Sequence, residues 1–135
     1  MPQVALLPYA DFLGISIEGT RDGAPLLRMP YAEGLTGAPG RLHGGAIAGL
    51  LEIAAIAAID ATLEGGEDPR SIFKPITMTV DFMRPGLAVD TFACGEVVRV
   101  GGRIANVAVT AWQDDPARPI AAARMNLAIT PPRPA

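Results

Sequence analysis

The longest apolar stretch of the chain runs from Gly44 to about Leu63 and is interrupted by only two charged residues. It contains no proline and is rich in alanine, leucine and isoleucine, which are compatible with a helix interior. Gly65 and Gly66 follow it, where a left-handed cap would end a helix. The pattern therefore predicts one helix over residues 44–63 that is apolar nearly all round and enclosed by the rest of the protein.

The segments after this helix have the pattern of β-strands. In 76-ITMTVDF-82 apolar and polar residues alternate strictly, which is typical of a strand with one buried face. Residues 91–100 and 103–112 flank the dipeptide Gly101-Gly102, which favours a two-residue hairpin turn. After a polar loop, residues 120–130 again place their apolar side chains on one face.

Before the helix, residues 4–13 have the pattern of a short helix. Residues 13–20 and 25–31 read as two strands around a turn at Arg21-Asp22-Gly23, and 33–40 form a glycine-rich loop. Together the segments predict an α+β fold, in which a mostly antiparallel sheet carries one long buried helix.

Length and composition indicate one soluble domain. Half of the 135 residues are hydrophobic, which is enough for one core, so we take 1–135 as a single domain with a frayed tail at 131–135. A net charge of -3 without runs of like charge argues against nucleic-acid binding. Residues 44–63 are long enough to span a bilayer, but their glycines and two carboxylates argue against a membrane segment.

The chain contains one cysteine, Cys94, and one histidine, His43. A single cysteine excludes an intramolecular disulfide and fits a reducing compartment. One cysteine and one histidine cannot form a dedicated zinc site. The N-terminal residues lack the basic and long apolar regions of a signal peptide. We therefore expect a cytoplasmic protein without a metal ion, in which Cys94 is a small strand or core residue.

Two carboxylates, Glu52 and Asp60, interrupt the apolar helix. A buried carboxylate is costly unless it is paired or its pKa is raised. The helix offers Glu52 no lysine or arginine, so the structural interpretation is an ion pair with an arginine elsewhere, such as Arg84 or Arg103. The functional interpretation is that Glu52 acts as a general base or a nucleophile.

The sequence His43-Gly44-Gly45 stands where the helix begins. The first N–H groups of a helix lack intrahelical partners, and the positive end of its dipole favours negative charge. Glycine lets a ligand approach this backbone closely. The helix start could therefore polarise a carbonyl and hold an oxyanion. The structural alternatives are a capping or core role for His43 and tight packing for the two glycines.

One helix cannot supply both groups to one reacting atom. Gly45 and Glu52 are seven residues apart, so they lie about 10 Å apart along the helix axis. A reacting carbonyl must be about 3 Å from both the donors and the attacking group. If the two residues act together, they come from different subunits, which predicts an antiparallel homodimer with its site at the interface.

The segment 41-RLHGGAIAGLLEIAA-55 resembles the HGG signature of hotdog-fold acyl-CoA thioesterases, in particular the phenylacetate-pathway, PaaI-like type. In that family an acidic residue follows the histidine by nine positions, which is Glu52 here. The segment 76-ITMTVDFMRPG-86 resembles the strand after the helix of those enzymes, and 97-VVRVGGRIANVAVTAW-112 resembles their next hairpin. The resemblance covers about residues 9–130.

The resemblance implies a sheet wrapped around the helix, a homodimer or a dimer of dimers, and cleavage of acyl-CoA to acid and coenzyme A. It assigns His43, Gly45 and Glu52 to catalysis, with a glycine N–H polarising the thioester and the acid activating water or attacking directly. It places Gly44, Arg84, Gly102 and Arg103 at the coenzyme A site. Coenzyme A belongs to the substrate, and no further cofactor is implied.

The sequence departs from the family pattern at three positions. Many relatives have Asn where this chain has Gly37, some have Ser or Thr at Ile56, and others hold the attacking water with a hydroxyl near Pro75, where Thr77 is the nearest. These departures leave open a non-catalytic acyl-CoA binding module, and a hotdog dehydratase or hydratase is a further alternative. For an enzyme, we expect a small-to-medium acyl group, and the apolar Ile56 favours an aliphatic or aryl group over a polar one.

Overall fold

The computed structural model of the protein describes residues 6–63 and 73–130, in two helices, six strands and one short 3₁₀ turn. The predicted cap at Gly65 and Gly66 and the predicted tail at 131–135 lie outside these residues. The bounds of the elements in chain order are α1 Pro8–Leu13, β1 Ser16–Arg21, β2 Ala24–Met29, the 3₁₀ turn Glu33–Leu35, α2 Gly44–Thr62, β3 Phe73–Phe82, β4 Thr91–Val100, β5 Ile104–Trp112 and β6 Ala121–Ile129.

The six strands form one antiparallel sheet in the order β1-β2-β4-β5-β6-β3. With α2 on one face of the sheet, this is the α+β hotdog architecture that the pattern and the resemblance predicted. The crossover from β2 to β3 runs through α2, so β3 lies at the far edge of the sheet, and among the described residues it pairs with β6 alone.

The predicted two-residue turn between β4 and β5 is wrong by one residue. The ladder between the two strands is shifted between Val97 and Arg99, and β5 begins at Ile104. The N–H of Gly101 donates to the carbonyl of Ile104 at 2.8 Å, so residues 101–103 form the loop. The extra residue in β4 shifts its alternation by one, so that Val97 pairs with the buried Val107 before the bulge and Val100 pairs with the buried Ala105 after it.

The helix α2 packs mainly on β2, β4 and β5. The helix comes close to Gly95 of β4, where an added Cβ would lie 2.8 Å from the Cβ of Ala58 and 3.0 Å from the carbonyl oxygen of Ala54. By length and composition α2 could cross a membrane, but 72% of its most apolar window is buried inside the protein. Burial of this kind is what the all-round apolar pattern predicted.

The part of the sheet formed by β6 and β3 is covered far less by α2. The register places Met78, Val80 and Phe82 opposite buried residues of β6, so these side chains point toward the helix side of the sheet. Phe82 is nevertheless 58% exposed, and Ile76, at a bulge in the same strand, is 54% exposed. The expected burial of this apolar face is therefore incomplete within one chain.

Candidate active site

A cavity of about 550 Å³ opens at the first turn of α2. The loop before the helix forms one wall of this cavity, and the end of β3 with the residues after it forms the other. Its lining residues are Gly37, Ala38, Arg41, Leu42, His43, Gly44, Ile47, Phe82, Met83, Arg84, Pro85 and Gly86. The cavity therefore brings together three of the predicted site residues, His43, Gly44 and Arg84.

His43 caps α2. Its Nδ1 accepts a hydrogen bond from the N–H of Gly45 at 2.8 Å, and its carbonyl oxygen accepts from Ala46 and Ile47. The backbone N–H of His43 donates to the carbonyl of Leu35 at 2.8 Å, which fixes the loop against the helix start. The capping role that the sequence left open is therefore present, and because Nδ1 accepts, the neutral ring carries its proton on Nε2.

The two glycines after His43 differ in what their N–H groups contact. The N–H of Gly45 is engaged by the His43 ring. The N–H of Gly44 has no partner among residues 6–63 and 73–130, and Gly44 lines the cavity. An added Cβ at Gly44 would be 3.5 Å from the ring of Phe82, an ordinary contact. The free donor at the positive end of the helix is therefore Gly44.

Two guanidinium groups belong to residues that line this cavity. Arg84 was expected from the sequence, and its Nη1 donates to the carbonyl of Pro119 at 3.0 Å while the side chain stays at the surface. Arg41 was not expected, because nothing in its spacing from the helix distinguishes it from a solvated arginine. The bridge between Arg41 and Leu87 brings it next to the residues after β3. Both cations suit a ligand that carries phosphate groups.

Glu52 is half-buried on α2 and does not line the cavity. Eight residues separate it from Gly44, which is about 12 Å along the helix. It makes no ion pair or hydrogen bond with any described residue. Both ion pairs in the described part of the chain belong to Arg28, with Glu18 and Asp90, and the hydrogen bonds from Arg28 lower the pKa of the Asp90 carboxyl. The predicted structural alternative, an ion pair to Arg84 or Arg103, is not formed.

Gly102 and Arg103 lie far from this cavity within one chain. They belong to the loop before β5, whose first residues pair with Ala128 of β6, whereas the cavity is at the Ala121 end of β6. Seven residues of strand separate these two ends, or about 23 Å. The single chain therefore brings Gly44 and Arg84 together but does not bring Gly102 and Arg103 to them.

The three departures from the family pattern have distinct structural settings. A Cβ at Gly37 would lie 3.0 Å from the Cα of His43, so the chain is too close there for a side chain without movement. Ile56 is buried in the core. Pro75 adjoins a bulge in β3, and the hydroxyl of Thr77 accepts a hydrogen bond from Asn126 at 2.9 Å, away from the cavity. None of these positions offers a polar side chain to the cavity.

Asp60 is the more deeply buried of the two carboxylates on α2. It is 3% exposed, and its Oδ1 has no hydrogen-bond partner in the part of the chain that the structure describes. Burial raises the pKa of this carboxyl. The sequence showed that Asp60 interrupts the apolar run, but it did not show that Asp60 is the carboxylate left without a partner in the core. Asp60 does not line the cavity.

Residues 34–128 match the family model of the acyl-CoA thioesterase N-terminal domain. A Halobacterium salinarum protein named as a candidate esterase is 35% identical over 100 residues, which are 70% of this chain and 62% of that protein. A crystal structure from Chromobacterium violaceum is 31% identical with a TM-score of 0.71, covering 92% of this chain and 84% of its own. A Ralstonia eutropha protein, named as a candidate thioesterase related to phenylacetic acid degradation, is 22% identical with a TM-score of 0.77 and 92% coverage of both chains, and it shares the fold.

Proposed function

The chain belongs to the acyl-CoA thioesterase family, and on that premise we propose that it hydrolyses a small-to-medium aliphatic or aryl acyl-CoA to the free acid and coenzyme A. Membership confirms the family resemblance, and at the level of the family it confirms the prediction of a thioester hydrolase. The observation that carries the proposal is the unpartnered Gly44 N–H, which lies on a cavity at the N-terminus of a long helix. The cytoplasm remains the expected location.

Gly44 supplies the carbonyl-polarising donor in this proposal, in place of the Gly45 that the sequence suggested. The Gly45 N–H is already engaged by His43, so its use would break the helix cap. The hydrogen bond from Gly45 to His43 instead fixes the first turn of α2. The rigid backbone of that turn also holds the neighbouring N–H of Gly44 in one orientation. A preorganised donor stabilises a developing oxyanion because it needs no reorganisation during the reaction.

The reaction is an addition of water to the thioester carbonyl followed by loss of the thiol. Glu52 of a second copy takes a proton from water, whose oxygen bonds to the carbonyl carbon, and the carbonyl oxygen becomes an oxyanion on the Gly44 N–H. The carbon–sulfur bond then breaks, and the proton passes to the departing thiolate to give free coenzyme A. Direct attack by the Glu52 carboxylate, followed by hydrolysis of the anhydride, gives the same products.

The homodimer is supported by two features of the protomer. Gly44 and Glu52 are about 12 Å apart on one helix, so a second copy must provide one of them. The edge strand β3 carries the partly uncovered side chains of Ile76 and Phe82, and an exposed apolar edge strand is a template for pairing with another chain. We propose that the two β3 strands pair, as a dimer or as half of a dimer of dimers.

The coenzyme A phosphates are bound by Arg84 and Arg41 in this proposal, since both residues line the cavity beside Gly44. Gly102 and Arg103 are too far away to join them within one chain. They are candidates for the site of the second copy, whose hairpin can approach across the interface. Phosphate contacts by guanidinium groups would position the thioester without taking part in its hydrolysis.

The test is the release of thiol from a panel of short, medium, long and aromatic acyl-CoAs, followed with a thiol-reactive dye. Glu52→Gln removes the base and should lower kcat at least about 100-fold. Gly44→Pro removes the donor N–H at the first helical position, where proline is tolerated, and should lower kcat about 100- to 1000-fold. Gly44→Ala keeps the N–H and is the matched control. Full activity in Glu52→Gln or in Gly44→Pro would contradict the assigned roles.

A binding module without turnover is the second candidate, and the settings of Gly37, Ile56 and Thr77 favour it because none of them offers a polar group to hold water in the cavity. If wild type and Glu52→Gln bind acyl-CoA equally and neither releases thiol, the binding module is the correct assignment. Titration calorimetry on the same panel measures that affinity.

A further inference from the structure

We propose that Gln113 is a positioning residue for the coenzyme A site and acts through Arg41, although Gln113 itself does not line the cavity. This inference rests on the proposed function, in which Arg41 binds the phosphates. Gln113 directly follows the last residue of β5, and its amide is engaged at both ends. Its Oε1 accepts a hydrogen bond from the N–H of Leu87 at 3.0 Å. Its Nε2 donates to the carbonyl oxygen of Leu87 at 2.9 Å and to the hydroxyl of Thr91 at 3.1 Å.

The two walls of the cavity are joined where Arg41 forms a β-bridge with Leu87. Beside this bridge, the N–H of Leu42 donates to the carbonyl oxygen of Gly86 at 2.9 Å. Arg41, Leu42 and Gly86 all line the cavity. Because Gln113 binds both backbone groups of Leu87, it fixes the second wall at the residue that pairs with Arg41.

The hydrogen bonds of Gln113 connect an exposed segment with the sheet. Leu87 is 53% exposed and lies in the segment between β3 and β4, whereas Thr91, the first residue of β4, is fully buried. Gln113 itself is half-buried and follows Trp112, which pairs with Phe92 of β4. A binding group is held precisely when hydrogen bonds behind it tie its backbone to rigid elements. Gln113 provides such a connection for the bridge at Leu87.

The second guanidinium of the cavity is held by other contacts. The backbone N–H groups of Met83 and Arg84 both donate to the carbonyl oxygen of Ile120, at 2.8 Å and 3.0 Å. The side chain of Arg84 donates to the carbonyl of Pro119. None of these bonds involves Gln113, so a change at Gln113 should act on the phosphate contacts of Arg41 and leave those of Arg84 in place.

The experiment compares an acyl-CoA with the matching acyl-pantetheine thioester, which has no phosphate groups. Gln113→Met keeps the length of the side chain and removes its three hydrogen bonds. The KM for acyl-CoA should rise about tenfold, because Arg41 no longer holds its charge-assisted hydrogen bonds to phosphate. The KM for acyl-pantetheine should stay at the wild-type value, and kcat should change less than about twofold with either substrate.

A double-mutant cycle tests whether the effect passes through Arg41. In an Arg41→Ala background, Gln113→Met should raise the KM for acyl-CoA less than about twofold, whereas in an Arg84→Ala background it should still raise it about tenfold. Asn126→Leu is the matched control. It removes a side-chain amide whose hydrogen-bond partners, Asn106 and Thr77, lie away from the cavity, and it should leave both KM values unchanged.

The outcomes separate the inference from the proposed function. An equal rise in KM with both thioesters, equal effects in the two arginine backgrounds, or loss of folded Gln113→Met overturns the inference alone, because each indicates a structural role. If wild type releases no thiol, hydrolysis is rejected, and calorimetric titration with coenzyme A then tests the inference. Binding about tenfold weaker in Gln113→Met supports it, and equal binding overturns it. A wild type that does not bind coenzyme A rejects both.

Discussion

The two flanks of the sheet differ in how completely one chain covers them. On the flank formed by β2, β4 and β5, α2 lies so close that Gly95 has no room for a side chain. On the flank formed by β6 and β3, the apolar residues Ile76 and Phe82 are more than half exposed. Both flanks have strands with apolar residues on the helix side, so hydrophobic pattern alone does not separate them.

The proposed function gives the two flanks different roles. The covered flank supplies the contacts that fold a single chain, because close packing of small residues fixes α2 on the sheet. The uncovered flank ends in the edge strand β3, beside the cavity that contains Phe82 and Arg84. Under the proposed function, the covered flank folds the single chain, and the uncovered flank assembles the dimer and binds substrate.

The largest expected effect on stability comes from adding a side chain on the covered flank, where α2 leaves no space for it. Gly95→Ala places a methyl group within 3.0 Å of Ala54 and Ala58 and should lower the free energy of unfolding by about 1–3 kcal/mol. Gly102→Ala is the control, since an added Cβ there has no atom within 4 Å. Urea unfolding measures both, and equal stability of the two variants would show that α2 is free to move away from β4.

A substitution on the uncovered flank should weaken the dimer and leave the stability of the folded monomer nearly unchanged. Ile76→Lys places a charge on the edge strand β3, where Lys discourages pairing with another strand, and should weaken the dimer at least about tenfold, or about 1.4 kcal/mol. Because Ile76 is exposed in one chain, the unfolding of the monomer should change little. Val98→Lys makes the same change on β4 and should leave the dimer intact. Analytical ultracentrifugation decides between the two flanks, and a dimer that survives Ile76→Lys would exclude β3 as the interface.

The smallest expected effect is on the free energy of unfolding and concerns Asp60, the buried carboxyl of α2 whose Oδ1 has no hydrogen-bond partner among the described residues. Asp60→Asn should raise the free energy of unfolding at neutral pH by about 1 kcal/mol, because it removes a buried charge without a partner. The folded-state pKa of Asp60 lies above its usual 3.8, so the stability that the wild type has at low pH is lost as the pH rises through that raised pKa. The gain from Asp60→Asn should therefore grow as the pH rises above about 4. Urea unfolding between pH 3 and pH 7 tests this, and a pH-independent difference would contradict it.

The long helix could be predicted from the sequence almost to its ends, because a run of apolar residues without proline leaves no other interpretation. The nine-residue spacing of His43 and Glu52 predicted a site, and the seven-residue separation of Gly45 and Glu52 predicted a second copy; both stay predictions. The hairpin loop was misplaced by one residue, since the bulge between Val97 and Arg99 leaves no signal in the sequence pattern. The engagement of Gly45 by His43 depends on the rotation of one imidazole ring, which spacing does not determine.

The separation of Gly44 and Glu52 along one rigid helix has a genetic consequence for a shared site. Gly44→Pro and Glu52→Gln subunits would each be inactive alone. In a mixed dimer, however, one site combines the intact donor of the Glu52→Gln subunit with the intact acid of the Gly44→Pro subunit, while the other site carries both defects. Two inactive alleles expressed together would therefore complement each other.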